Sequence, residues 1–379
     1  MKQLILAFIG ATVLFIAACK KNDAPPTPQV ALSVSGDTVY LSSVDSLVIK
    51  SAVINGASAT TKWYVNDSLV SNIASVVLKN LLAGTYKVQV TATNESGVFK
   101  RTIIVIVDAP LRPVTATSSK YISQIIDFLP APGQFVNEVN ISSPTAAQKL
   151  IGSTSNLVSL GGYGGYIIFG FDHSIANRTG YDLAIYGNPL APPSEWSEPG
   201  IVMVSQDVNG NGKADDPWYE LAGSEYNDPT TIKNYSVTYY NPGDYKNVPW
   251  KDNKGNTGAV EINAFHKHNF YPLFAPNQDS ITFTGTVMRN TFGQMTGSSI
   301  YINGGFPWGY VDNWSSGDNY AQNRYNSFDI SWAVDAKGNK VALKSVDFVK
   351  VYTGQNSRGN TLLGEISTEV KGAVDLNIP

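Results

Sequence analysis

The eleven residues from Gly84 to Asn94 constrain this chain more than any others. Apolar Tyr86, Val88, Val90 and Ala92 alternate there with polar Lys87, Gln89 and Thr91. Successive side chains of an extended strand point to opposite faces, so the run predicts a strand with one buried face. A helix would scatter the same apolar residues around its circumference and could not bury them together. Val48–Val53, Thr61–Val65, Ser75–Leu78 and Val98–Val107 read the same way, at the spacing of a β-sandwich. With Gly 33, Pro 20 and Tyr 20 in 379 residues, the composition also argues against a helical bundle. The chain is expected to be all-β.

Residues 29–108 resemble PKD and related immunoglobulin-like domains. Trp63 stands where the core tryptophan of such a sandwich belongs, and Tyr86 where a tyrosine corner would form. The paired cysteines are missing, since Cys19 is the only cysteine, so packing alone must join the sheets. Residues 109–120 read as a linker. From 121 to 379 the expected strands are Tyr166–Phe171, Tyr181–Tyr186, Ile201–Ser205, Ser236–Tyr240, Ser280–Thr284, Ser299–Ile302, Phe328–Val334 and Ser345–Tyr352. Their number and the long loops between them suit a larger jelly-roll-like β-sandwich. Pro144–Leu150 reads as a helical turn or two, and Gly161–Gly165 as a flexible lead into a strand.

The start of the chain predicts its address. Lys2, an apolar run from Leu4 to Ala17 and the small Ala18 make a secretory signal over residues 1–18. Ile16-Ala17-Ala18-Cys19 resembles the bacterial lipobox, which implies a lipidated Cys19 (palmitate or a similar acyl chain) and a membrane partner. Residues 19–28, with Pro25, Pro26 and Pro28, form a stiff tether. Lys20-Lys21-Asn22-Asp23 is similar to the short signals that send Bacteroidota lipoproteins to the outer face of the outer membrane.

The formal charge of -3 argues against the basic surface that nucleic-acid binding requires, so no nucleic-acid partner is expected. Three histidines and one cysteine exclude a zinc finger, an iron–sulfur centre and a disulfide framework.

Three longer signatures lie in the second part. One is Gly165-Tyr166-Ile167-Ile168-Phe169-Gly170-Phe171-Asp172-His173 with Gly180–Asn188. Another is Glu198-Pro199-Gly200-Ile201-Val202 leading to Trp218-Tyr219-Glu220-Leu221-Ala222-Gly223-Ser224-Glu225-Tyr226. The third joins Phe328–Asp335 to Val346–Thr353. Together they resemble a family of Bacteroidota surface lipoproteins with a PKD-like first domain. The resemblance implies a setting beside TonB-dependent transporters, including those for cobamides.

Asp207-Val208-Asn209-Gly210-Asn211-Gly212-Lys213-Ala214-Asp215-Asp216 matches the start of a calcium loop. Asp207, Asn209, Asn211 and Asp215 supply side-chain oxygens at alternate positions, Gly212 the turn and Lys213 a backbone carbonyl. Trp218 replaces the usual bidentate glutamate, so Asp216 or Glu220 has to complete the shell. A plain turn is the alternative, because Asn209-Gly210 and Asn211-Gly212 are strong turn formers. His266 and His268 would share a face on a strand and could bind one metal, although a loop fits them better. His173 is expected to make a local hydrogen bond.

The segment from Tyr301 to Trp332, both included, holds nine aromatic residues among amides and carboxylates. Trp308, Tyr310, Trp314 and Tyr320, with Asp312 and Asn313, are the expected ligand-binding set, exposed on loops. Flat apolar rings beside polar groups suit a glycan or a planar macrocycle such as a cobamide. The leading expectation is therefore a non-enzymatic surface lipoprotein that captures a small ligand. The alternatives are a glycan-active hydrolase and an adhesion protein or scaffold. Asp172, Glu195, Glu198 and Asp312 could serve a hydrolase, but no spacing singles out a pair, and neither Gly-x-Ser-x-Gly nor His-Glu-x-x-His is present. Carboxylates converging in a cleft would favour the enzyme.

Overall fold

The computed structural model describes residues 24–55 and 57–379, and the chain divides into two compact units between Asp108 and Ala109. Cys19, the signal segment and the charged start of the tether lie outside the described residues.

The first unit has strands β1 (Val30–Leu32), β2 (Thr38–Ser42), β3 (Ser46–Val53), β4 (Thr60–Val65), β5 (Ser68–Ser71), β6 (Ser75–Lys79), β7 (Gly84–Asn94) and β8 (Gly97–Asp108). They form a three-stranded sheet, β1-β3-β6, and a five-stranded sheet, β2-β8-β7-β4-β5. The two apolar faces enclose Ile49, Trp63, Val76, Leu78, Val88, Val90, Ile103, Val105 and Val107. Trp63 is fully buried, and the Tyr86 hydroxyl donates to the Leu82 carbonyl four residues upstream, which is a tyrosine corner. Gln89 is buried against the alternation, and its amide donates to Thr102 Oγ1.

The second unit begins with β9 (Gln124–Leu129), α1 (Pro144–Gln148), β10 (Val158–Ser159), β11 (Tyr166–Ala176), β12 (Leu183–Tyr186), β13 (Gly200–Ser205) and β14 (Trp218–Leu221). It continues with β15 (Ile232–Tyr240), β16 (Val248–Asp252), β17 (Thr257–Val260), β18 (Ser280–Val287), β19 (Phe292–Gln294) and β20 (Tyr301–Asn303). Then come α2 (Tyr320–Asn323), β21 (Asn326–Phe328), β22 (Ala333–Val334), β23 (Ser345–Thr353), β24 (Glu369–Val370) and β25 (Gly372–Asp375). A six-stranded sheet, β22-β14-β13-β23-β11-β9, shares one core with the three-stranded sheet β21-β12-β25. A four-stranded sheet, β17-β16-β15-β18, has a separate aromatic core of Tyr163, Tyr235, Tyr239, Phe270, Tyr271 and Phe283. The sandwich is thus extended by a second cored sheet.

Local signals account for most boundaries. Ser143 caps α1 by accepting from the Ala146 N–H, and Pro144 stands at the first helical position, where no donor is needed. The expected strand Phe328–Val334 is interrupted, because Asp329 Oδ1 accepts the Ser331 N–H and turns Ile330–Trp332 into a 3-10 helix. The run Gly161–Gly165 is buried and held in place, which corrects the reading of a flexible lead. Gly161 has φ +69°, and a Cβ there would lie 1.9 Å from the Ala131 carbonyl oxygen. Only glycine lets the backbones meet so closely.

Residues 109–120 are not a free linker along their length. The Arg112 guanidinium donates to the Phe171 carbonyl and to buried Asp347, and Ser174 N–H donates to the Arg112 carbonyl.

Candidate functional site

The proline-rich loop from Gly187 to Pro199 joins β12 to β13 and has a cleft on either side. It folds back on itself through hydrogen bonds between the backbones of Leu190 and Trp196. Residues 303–314 clamp it: Ser197 N–H donates to the Asn303 carbonyl, Glu198 N–H to the Asp312 carbonyl, and Gly200 N–H to that of Val311. Asp312 has φ 57° and accepts the Asn188 N–H on Oδ1 and the Glu369 N–H on Oδ2. A Cβ on Gly187 would lie 2.6 Å from Asp312 Cα, so glycine is required beside it.

The first cleft, of about 460 Å³, is walled by Phe135, Ile141, Leu157, Leu190, Trp196, Tyr301 and Leu363. Tyr301 stacks on Phe292 at 5.5 Å with an interplanar angle of 3°, and Phe292 meets Trp196 edge to face. This wall remains open to solvent, with Leu190 58% and Tyr301 38% exposed. Gln134, Asn188, Ser194, Glu198, Ser367 and Glu369 supply the polar lining.

Carboxyl groups gather beneath that lining. Glu198, Asp312 and Glu369 each place an oxygen within 4.8 Å of the others. Burial pushes Glu198 up to about 8, and the nearby Asp312 and Glu365 charges push the same way. Burial raises Asp312 to about 7 and Glu369 well above the usual carboxylate range. Three carboxylates this close cannot all ionise in a low-dielectric site, so they share protons or require a cation. A protonated Glu198 both donates and accepts hydrogen bonds at the floor of the cleft.

The second cleft, of about 590 Å³, lies across the loop and is lined by Pro192, Glu195, Phe306, Trp314, Ser316, Asn319 and Gln322. Glu195 Oε1 accepts the Gly305 N–H, and the Arg324 guanidinium lies 5.6 Å from the Trp314 ring.

The structure divides the expected aromatic set. Trp314 lines this second cleft, while Trp308 packs on Trp332 with ring centroids 4.6 Å apart. Tyr310, Asp312, Asn313 and Tyr320 are buried, 3%, 1%, 0% and 3% exposed, which corrects the expectation that they lie open on loops. Tyr310 belongs to a core with Ile201, Met288, Phe306 and Tyr352, and its hydroxyl accepts the Glu225 N–H. The Asn313 amide is spent on both backbone groups of Phe306. Trp308, Tyr310 and Trp314 therefore do not form one platform. Phe135, Trp196 and Glu369 were missed. Glu195-Trp196-Ser197-Glu198, an aromatic between carboxylates in a proline-rich loop, was the available signal.

The loop 207–216 is closed by its own side chains. Asp207 is buried, and its two oxygens accept the N–H groups of Asn211 and Gly212. Asn209 Oδ1 accepts the Asn211 N–H, and Asn211 Oδ1 the Lys213 N–H. Asp216 accepts from Val208 and Asn209, and Asp215 from the Asn211 amide. The oxygens of Asp207, Asn209 and Asn211 are thus spent on the loop's own N–H groups. Glu220 cannot complete the shell, because it faces Thr286 and Lys233.

His266 and His268 are in a loop instead of a strand, and Glu138 Oε1 holds His266 Nδ1 at 2.7 Å. His173 is fully buried, with Nδ1 2.7 Å from Asp172 Oδ1 and Nε2 2.9 Å from Asp375 Oδ2.

No known protein-family profile matches the sequence, and no curated protein matches it. Among solved structures, the chain is similar to the SusE-like protein BT2857, at 9% identity over 92% of this chain and 96% of that one, with a TM-score of 0.25. It is also similar to the Bacteroides ovatus protein SGBP-B, solved in complex with a mixed-linkage heptasaccharide, at 14% identity, 74% and 70% coverage, and a TM-score of 0.23. Human titin ZIg10 matches 27% of this chain over 92% of its own length, at 16% identity and a TM-score of 0.19. Scores this low do not extend to the position of any residue in the clefts.

Proposed function

We propose that this chain is a non-enzymatic surface lipoprotein, anchored in the outer membrane through Cys19, that captures a glycan segment in the cleft between Trp196 and Tyr301. One observation carries the reading: partly exposed aromatic rings face a floor of clustered carboxyl groups and amides. Such a floor offers both donors and acceptors to hydroxyl groups, while the rings take the apolar faces of sugar rings. The resemblance to transporter-associated lipoproteins adds a TonB-dependent transporter as the partner and cobamides as the second ligand class. Calcium held by the 207–216 loop would act structurally, pinning the connection between β13 and β14.

Calorimetry of the mature chain against a panel of neutral polysaccharides and cyanocobalamin tests the ligand. Polysaccharide binding that Trp196→Ala abolishes supports the proposal; cobalamin binding with no response to polysaccharides replaces the ligand, and silence towards both rejects capture. Cys19→Ala should move the protein from membranes to the soluble fraction.

A hydrolase is the second reading, favoured by the raised carboxyl of Glu198 at the cleft. Against it, glycosidase carboxyls stand about 5–10 Å apart to flank a bond, whereas Glu198 and Glu369 place oxygens within 4.8 Å of each other. Chromatography of the bound polysaccharide after incubation separates the readings, since only a hydrolase shortens it.

A further inference from the structure

The second cleft, of about 590 Å³ across the Gly187–Pro199 loop, shares no lining residue with the first. We propose that it is an auxiliary subsite for one neutral sugar unit, which stacks on Trp314 while its hydroxyl groups meet Glu195, Asn319 and Gln322.

The amides of this segment fall into two groups. Asn313 spends its amide on Phe306, Asn323 on the Asp318 carbonyl, and Asn326 on the Asn313 carbonyl and the Ser315 hydroxyl. Asn319 and Gln322 line the cleft, are exposed, and make no side-chain hydrogen bond among the described residues. Glu195 Oε1 accepts the Gly305 N–H, whereas its Oε2 accepts from none of the described residues. A ligand hydroxyl therefore reaches open groups here, and exchanging water for it breaks no hydrogen bond of the protein.

The ring and the amides are held from behind. Trp314 N–H donates to Ser197 Oγ, which donates to Glu195 Oε1 at 3.5 Å, so one hydroxyl joins two walls of the cleft. The partly exposed Trp314 ring packs on buried Tyr320, with ring centroids 5.3 Å apart. Asp318, 1% exposed, accepts from the Ser315 hydroxyl, the Asn326 amide and the Ser327 N–H, and so fixes the turn that carries Asn319. Asn319 and Arg324, at the two ends of α2, take φ 57° and 62°. Left-handed backbone is costly for an arginine, and such strain gathers where a ligand site is held in shape.

The lining selects a neutral, hydroxyl-rich ligand. An anion would meet Glu195, and a cation on the Trp314 ring would meet the Arg324 guanidinium, 5.6 Å from it. Hydroxyl groups donate to Glu195 Oε2 and both donate to and accept from the two amides, and the indole covers the apolar face of a pyranose. One ring and three side chains hold a sugar at about millimolar strength, which NMR reads and calorimetry of the first cleft does not.

Fluorine NMR of the mature chain labelled with fluorotryptophan tests the proposal, and Trp314→Phe assigns the Trp314 signal among the seven by deleting it. The probes are cellobiose, maltose and lactose, with glucuronate and glucosamine as charged counterparts. At least one neutral disaccharide should shift the Trp314 signal saturably. Asn319→Ala and Gln322→Ala remove exposed, unbonded side chains, so the fold should be kept while the Kd rises about 2–12-fold, the span of one neutral hydrogen bond. Trp196→Ala should leave the Trp314 titration unchanged, so this subsite and the first cleft stand or fall separately. A response to glucuronate alone would make this an anion site, and a response to glucosamine alone an amine site. No response to any probe would mean no sugar subsite, and a response that Trp196→Ala abolishes would mean no separate one; each overturns the proposal.

Discussion

Arg112 donates to Asp347 Oδ1 at 3.0 Å, and the same carboxylate accepts Ser174 Oγ and, on Oδ2, the Asp207 N–H. One buried acid thus ties the segment leaving the first unit, strand β11 and the start of the 207–216 loop to strand β23. Arg112→Ala would leave Asp347, 1% exposed, without its cation. Because Arg112 is itself partly exposed, the loss should be about 1.5–3 kcal/mol, the range for hydrogen bonds to charged groups. Urea denaturation of the second unit should show it as a lower midpoint, and an unchanged midpoint would mean that Arg112 merely lies on the surface.

Truncating the wall of the first cleft should separate binding from folding. Trp196→Ala and Tyr301→Ala remove partly exposed rings outside the core clusters, so the melting temperature should stay close to that of the wild type. Loss of a hot-spot ring should cost about 2 kcal/mol or more in affinity for the polysaccharide identified by calorimetry. Trp308→Ala, which removes the partner of Trp332, should act in the opposite sense, lowering stability and sparing affinity.

The carboxyl floor predicts stability that falls as pH rises. Burial lifts Glu198 to about 8, and Asp312 and Glu365 to about 7. Above their ordinary values of 4.5 and 3.8 the unfolded chain has released these protons while the folded chain still holds them. The stabilisation is therefore complete below about pH 4 and is lost progressively as pH passes through 7 and 8. Glu198→Gln should flatten the upper part of this slope, costing stability at pH 5 relative to wild type but little at pH 8. Thermal melts of both proteins between pH 5 and 8 check this, and parallel slopes would place the titration elsewhere.

Calcium should raise the melting temperature of the wild type, and chelator should reverse the effect by mass action. Asp215→Ala should abolish the response, because Asp215 is exposed and its only bond in the loop is to the Asn211 amide. An equal calcium response in both proteins would leave 207–216 as a turn closed by its own amides and carboxylates.

The sequence by itself determined what depends on neighbours along the chain. The alternation of residues 84–94 became β7, Trp63 became core, and Tyr86 reached back four residues to Leu82, because each needs only a strand and one buried face. Ser143-Pro144 likewise started α1. Tertiary structure alone decided the clefts. Phe135, Trp196, Tyr301 and Glu369 are far apart in sequence, and no local period records their meeting. Composition could not tell that Tyr310 and Tyr320 face inward while Trp314 lines a cleft, since aromatic rings serve core and surface alike. Nor could it show that Glu198, Asp312 and Glu369 would crowd together. Burying charge is costly, and that cost arises only once strands from distant parts of the chain close over the carboxyl groups.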